Sequence, residues 1–432
     1  MLQTTDLHVH SKYSRATSKA LSPEGLIDAA RIKGIDVIGT GDFTHPKYLN
    51  ELKEKLIPHP DKSGFFVLKT MKRVADAPVF MLTQEISCVY TDKGKGRRNH
   101  ILIVLSNFDA VDRLSTAFQK IGNLASDGRP ILGMSARDLS EHALLADSGA
   151  LIIPAHIWTP WFSTFGSKSG YDSIAECFGD MSEHIAAVET GLSSDPLMNW
   201  RVSELDRYAI VSHGDAHSPR KVGREATVYE VASPSYENIR DALKASARLD
   251  KTRLPKNYIA YTIEFYPEEG KYHFDGHRAC DVSFAPEETK KNNCLCPQCR
   301  KPLTVGVEYR VETLADRTIE EASAYGERNR PDFKKIIPLE EIIADAFGQG
   351  VGTKKVSACY DKLIKEGGSE FEILLYMKDN ALAAIALPEI VKGILRVREG
   401  CVYITPGYDG VFGKVSVFSD EERTTFSGRQ SR

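Results

Sequence analysis

The sequence predicts an α/β protein: a βα barrel, then a small metal-binding module, then a mainly helical C-terminal domain. Short apolar strands alternate with amphipathic helices from residue 6 to about 217, four of the eight cysteines crowd between residues 280 and 299, and helical periodicity takes over from Pro338. At 432 residues the chain exceeds a common domain of roughly 100–200 residues, so several modules are expected. The divisions fall at 1–250, 251–335 and 336–432.

The strand candidates in the first part are residues 6–10, 36–40, 100–105, 150–154, 186–189 and 209–212. Between the first two, Ser22 reads as an N-cap, Pro23 as the first helical residue and Gly34 as the stop. A strand, a helix and a strand in that order make a parallel βα unit. Past residue 250 a stretch rich in Tyr, Lys and Pro leads into the cysteine cluster. Helical segments follow at 339–347, 356–365, 371–376 and 381–394, and the glycine-rich segment 407–413 closes the pattern.

Composition places the chain among ordinary globular proteins, with 42% apolar and 27% charged residues. No apolar run approaches the ~20 residues of a membrane span, and the first residues lack a leader pattern. A cytoplasmic location with no membrane partner is the expectation. A net charge of -3 neither announces nor excludes nucleic acid. In a reducing compartment, clustered cysteines argue for metal rather than disulfides.

His8 and His10 stand two apart on a strand, so their imidazoles share a face, and Asp215 and His217 repeat that spacing. Between them Glu85 follows an apolar run, His100 opens a strand and His156 ends one. Any one of these histidines alone reads as a core or surface residue. Together the nitrogen and oxygen donors are what a cluster of Zn²⁺, Mn²⁺ or Fe²⁺ requires, and such ions hydrolyse phosphoesters without a serine or cysteine nucleophile. Arg220, Lys221 and Arg224 follow the second pair and are candidates for flanking phosphates, with a solvated basic loop as the competing reading; Lys93, Lys95, Arg97 and Arg98 carry the same two readings.

The order His-x-His, Glu, His, His, Asp-x-His resembles the PHP superfamily of polymerase-associated and histidinol-phosphatase-type metallophosphoesterases, over about residues 1 to 250. That resemblance implies a distorted βα barrel with up to three metal ions. It assigns His8, His10, Glu85 and Asp215 to one ion, Glu85, His100 and His156 to a second, and involves His217 in a third. Two places depart from the family pattern: Arg15-Ala16 stands where an acidic residue is usual, and Asp42-Phe43-Thr44-His45 stands where Asp-His is usual. Asp42 is retained, and His45 is the candidate substitute for the missing histidine. Glu189 either lines the site or caps a loop.

His277-x2-Cys280 and Cys296-x2-Cys299, fifteen residues apart, have the spacing of a closed tetrahedral structural Zn²⁺ site. Cys294 competes with His277 for the fourth place. Residues 342–364, with Gly350, Gly352, Lys354 and Lys355, resemble a helix-hairpin-helix element whose Gly-rich turn offers N–H groups to a DNA phosphate; a plain helix connection is the alternative. Tyr408 either stacks on a base or packs.

Residues 270–273, 276–278, 304–307 and 310–312, the cysteine cluster and the 407–413 segment resemble the endonuclease Q family, essentially over the whole chain. The resemblance implies a metal-dependent DNA repair endonuclease, nicking 5′ of deaminated bases (uracil, hypoxanthine, xanthine) and at abasic sites. It implies Mg²⁺ or Mn²⁺ for activity, zinc at the structural and catalytic sites, damaged DNA as partner and a replication or repair factor as a further one. Trp158, Trp161 and Phe162, directly after His156, are candidates for the substrate mouth, against a buried aromatic cluster. The competing functions are a small-molecule PHP phosphatase and a non-catalytic PHP scaffold that binds DNA.

Overall fold

The computed structural model describes residues 1–71, 77–247 and 249–423, so residues 424–432 of the expected C-terminal domain lie outside the described residues. The strand Leu2–Asp6 pairs in parallel with Val37–Gly39 and antiparallel with Ala226–Glu230. Helix Pro23–Lys33 joins the first two. Ser22 caps it by accepting the Gly25 N–H, which stabilises a helix by about 1 kcal/mol, and Gly34 ends it at φ 86°.

Parallel alternation governs only part of the sheet. Val37–Gly39 runs parallel to Val79–Asp92, while Ala187–Glu189 and Ala209–Val211 pair in parallel as a separate two-stranded sheet. Val79–Asp92, however, turns straight back into Lys95–Leu105, which in turn pairs antiparallel with Leu151–Pro154. Lys93 and Gly94 make that turn with φ of 49° and 76°, both left-handed, as a two-residue hairpin requires. The outcome is a mixed α/β fold around a central sheet.

The sheet also continues beyond residue 250. Tyr258–Glu264 pairs antiparallel with Ala226–Glu230, and Asp332–Lys335 lies parallel beside it. Residues 265–331, which carry the cysteine cluster, therefore leave and re-enter the same sheet. Helices Leu339–Phe347, Lys354–Gly367 and Pro388–Arg398 follow, and their Ile342, Ile343, Val356, Leu363, Ile390 and Ile394 join the main apolar core. A buried ion pair between Lys33 and Glu370 ties this end of the chain to the first helix, and the Tyr360 hydroxyl donates to the same carboxylate at 2.6 Å. Among the described residues no helix is long and apolar enough to cross a membrane.

Candidate metal centre

Period-two alternation leads the inner apolar layer into the chemistry. Along Val79–Asp92, Val79 and Met81 belong to the inner cluster, and Thr83 and Glu85 follow on the same face; on the paired strand Val104 and Leu102 lead to His100. The register sets Ser87 opposite His100. A parallel bridge between Val9 and Ala216 lays His8 and His10 beside Asp215 and His217.

Donor atoms of His8, His10, Glu85 and Asp215 lie within 4.8 Å of one another, and so do those of Glu85, His100 and His156. Glu85 belongs to both groups, one oxygen to each. Its Oε2 faces Nε2 of His8 and His10 at 3.5 and 3.2 Å, while its Oε1 faces His100 Nδ1 and His156 Nε2 at 2.6 and 3.2 Å. Asp215 Oδ1 closes the first group, 3.6 Å from His8 and 3.1 Å from His10.

The donor set fits divalent cations. Burial disfavours charged imidazoles at His8 and His10, yet the surrounding carboxylates, chiefly Glu189 and Glu85 at His8 and Asp215 and Asp42 at His10, push both pKa values well above the ordinary range. Burial would likewise raise Glu85, but His100, Arg129 and His8 hold it well below a usual carboxyl. Carboxylates thus surround the imidazoles closely enough to favour positive charge among them. Nε2 of His8, buried and without a hydrogen-bond partner among the described residues, is an open donor at its centre. Mixed nitrogen and oxygen donors suit Zn²⁺, Mn²⁺ or Fe²⁺.

A second layer holds these groups. The fully buried carboxylate of Glu189 accepts from His8 Nδ1 at 2.9 Å, from His213 Nδ1 at 2.8 Å and from the His156 backbone N–H at 2.9 Å. Burial opposes its ionisation, but His8 and His213 hold its pKa down to about 2. Ser87 Oγ sits 2.8 Å from His100 Nε2, leaving Nδ1 to Glu85. Asp42, His156 and Asp215 all adopt left-handed backbone, at φ 47°, 31° and 43°. Such strain costs of order 1–3 kcal/mol each and persists where the surroundings impose it. Gly191 is one such surrounding, since a Cβ there would lie 2.3 Å from His156 Cβ.

The described residues do not gather Asp42, His45 and His217 into either donor group. Asp42 instead accepts from His10 Nδ1 at 3.1 Å, from Ser11 N–H and hydroxyl at 2.6 and 2.7 Å, and from Ser14 hydroxyl at 2.9 Å. His45 stacks on Tyr13, with ring centroids 4.5 Å apart. His217 lies at the exposed edge, its ring 4.6 Å from His10. Sequence reasoning passed over Arg129, whose guanidinium reaches Glu85 Oε2 at 3.0 Å and which no ligand-like spacing marks, and His213, although it stands two residues before Asp215.

Comparison with solved structures shows what the whole chain is similar to. The lesion-specific endonuclease PfuEndoQ from Pyrococcus furiosus superposes with a TM-score of 0.82 at 28% identity, over 98% of this chain and 96% of that one. An endonuclease Q complexed with a 27-mer duplex substrate bearing an abasic lesion at the active site gives 0.81 at 29% identity, over 98% of each chain. Over nearly its whole length the chain is similar to these endonuclease Q structures. Within it, residues 338–401 match the model of the MJ0043 C-terminal domain. The MJ0043 protein of Methanocaldococcus jannaschii is 34% identical over 266 residues, which are 60% of this chain and 31% of that protein; the match thus spans about a third of this relative.

The group built around the cysteines also converges. His277, Cys280, Cys296 and Cys299 offer donor atoms within 4.8 Å of one another, whereas Cys294 turns to the Tyr309 hydroxyl at 3.5 Å. The basic residues after Asp215 are spent on contacts within the chain: Arg220 pairs with Glu340 at 3.1 Å, Lys221 lies 3.8 Å from Glu341, and Arg224 covers the Phe265 ring. Gly350 and Gly352 lie open, with nothing within 4 Å of a Cβ built on either, just before the helix that starts at Lys354 and Lys355. Trp158 is buried and donates to Asn199, while Trp161 is 38% exposed. The Tyr408 hydroxyl bonds Asp281 at 2.6 Å, and its ring packs against Gly276.

Proposed function

We propose that this protein is a DNA repair endonuclease that hydrolyses the phosphodiester 5′ of deaminated bases (uracil, hypoxanthine, xanthine) and at abasic sites. The observation that carries the reading is the two-part buried donor cluster joined through Glu85, in a chain alike over its length to an endonuclease Q seen with a lesion duplex. The central sheet is read as a PHP-like barrel, the 277–299 group as a structural zinc site, and the tail around Gly350 to Lys355 as a DNA contact.

His8, His10, Glu85 and Asp215 would hold one divalent ion, and Glu85, His100 and His156 a second. Bound there, such ions polarise a phosphate and acidify water to serve as nucleophile near neutrality. The chain's own residues do the rest. Glu189 and Asp42 fix the His8 and His10 rings, and Ser87 fixes His100. Arg129 balances the charge on Glu85 from the partly open side. His217 Nδ1 donates to the Asp215 carbonyl at 2.9 Å, which leaves Nε2 at the partly exposed edge, where the imidazolium form can give its Nε2 proton to the leaving oxygen.

The test is nicking. Protein with Mn²⁺ or Mg²⁺ is incubated with uracil, hypoxanthine and abasic duplexes and, separately, with a phosphomonoester panel. Lesion-dependent nicking that is lost in Asp215→Ala, with DNA binding kept, is expected. Rapid phosphomonoester turnover with no nicking of any lesion duplex overturns the reading.

A further inference from the structure

An aromatic strip runs away from the metal centre across three parts of the chain. It begins at Phe162, whose ring centroid lies 4.7 Å from that of His100 and whose carbonyl accepts the His100 N–H at 3.0 Å. Phe162 sits at φ 61°, a strained conformation for this side chain, and its neighbour Trp161 is partly exposed. Trp161 meets Tyr272 edge to face, with centroids 5.2 Å apart. Lys271 then stands 5.5 Å over the Tyr272 ring and 5.8 Å over the ring of Phe412, which is 74% exposed.

A lone exposed apolar side chain needs no explanation. Phe412 is different because the loop that carries it is clamped. Gly407 N–H donates to Glu268 at 2.9 Å, Gly410 N–H to Lys271 at 2.8 Å and Gly413 N–H to Glu269 at 3.1 Å, and the Phe274 N–H returns to Gly407 at 2.9 Å. Gly413 lies so close that a Cβ there would be 2.1 Å from the Glu268 carbonyl oxygen. The backbone of the loop is thus fixed against residues 268–274, yet the phenylalanine next to Gly413 is left bare. Two cations belong to the same loop region: Lys271 stands over the Phe412 ring, and Arg278 Nη1 lies 3.6 Å from the Cβ position of Gly410, two residues before Phe412.

We propose that Phe412, Tyr272 and Trp161 form a stacking surface for an unpaired nucleobase of bound DNA, with Lys271 and Arg278 against the neighbouring phosphates. Every base has an apolar face, and aromatic side chains with adjacent cations hold such faces without reading sequence. A base paired within an intact duplex presents no free face. The strip therefore favours DNA in which a base has lost its partner, which is the state opposite an abasic site. This inference rests on the DNA-endonuclease reading and adds where the unpaired base goes.

The test uses the full-length protein without added metal and a fluorescein-labelled duplex carrying a tetrahydrofuran abasic analogue, beside the intact duplex of the same sequence. Phe412→Ala is expected to weaken binding of the abasic duplex about ten-fold, Phe412→Tyr to keep it, and neither to change intact-duplex affinity more than about two-fold. Trp161 is more exposed than Trp158 and Trp200, both buried, so binding of the abasic duplex should quench tryptophan emission in the native protein and not in Trp161→Phe. Equal losses on both duplexes, or no loss in Phe412→Ala while the native protein binds, overturn the stacking surface alone. Absence of DNA binding by the native protein overturns the endonuclease reading and the surface with it.

Discussion

Glu189 stands 2.9 Å from Nδ1 of His8 and thereby commits the opposite nitrogen, Nε2, to the centre of the donor cluster. The same carboxylate holds the backbone of His156, a member of the other donor group. One residue outside both groups thus braces both. Glu189→Gln replaces an acceptor-only group by one with two donors of its own, so the His8 and His213 rings lose their fixed tautomers. Metal affinity should fall by about 10- to 100-fold, the range for such supporting partners, while the metal-free protein keeps its circular dichroism spectrum. Titration with Co²⁺ followed by absorption checks this; native affinity in the variant would refute it.

Asp42 should act on one donor group only. It orients His10 and is itself held by Ser11 and Ser14, and it has no part in the group of Glu85, His100 and His156. Asp42→Ala is expected to weaken one of two binding steps in a calorimetric metal titration and leave the other within about two-fold. Loss of both steps would assign Asp42 a wider role.

The cysteine group should lose its metal ligand by ligand. Cys296→Ser is expected to reduce bound zinc by one equivalent and to lower the melting temperature, because such sites contribute folding energy directly. Cys294→Ser should leave zinc content unchanged, since that thiol turns to Tyr309. Metal analysis of the purified variants distinguishes the two.

Stability should depend on pH through two buried carboxyls behind the cluster. Burial raises Glu264 to about 7 and, with Glu264 as neighbour, lifts Glu225 well above its ordinary value. Their folded pKa values exceed the unfolded ones, so the folded state holds the extra protons. Their stabilisation is therefore full below about pH 4.5 and is lost as pH rises towards 7. Glu264→Gln should flatten the fall in melting temperature of the metal-free protein between pH 5 and pH 8. An unchanged slope would place the pH dependence elsewhere.

The donor residues were legible in the sequence because each sits at the mouth of an apolar run with strand periodicity, as Glu85 does after Val79 and Met81. Their supporters were not. Arg129 approaches Glu85 from a loop 44 residues away, and nothing local marks it. The hairpin between Asp92 and Lys95 is not evident in the sequence, where its basic residues read as phosphate contacts or as a solvated loop and mask a two-residue turn. Tyr408 and Phe412 share one glycine-rich segment, and the packing of Tyr408 on Gly276 with its hydrogen bond to Asp281 separates the structural ring from the bare one.

The return of the chain to its own sheet bears on how this protein can be cut. Asp332–Lys335 pairs with Tyr258–Glu264, so the cysteine-bearing segment is an excursion between neighbouring strands rather than an appendage. A fragment ending near residue 250 would strip both strands and leave Ala226–Glu230 with an unpaired edge, a template for aggregation. Excising residues 265–331 spares that edge, but because the two strands run parallel the replacement must be a crossover connection of about a dozen residues or more rather than a tight turn.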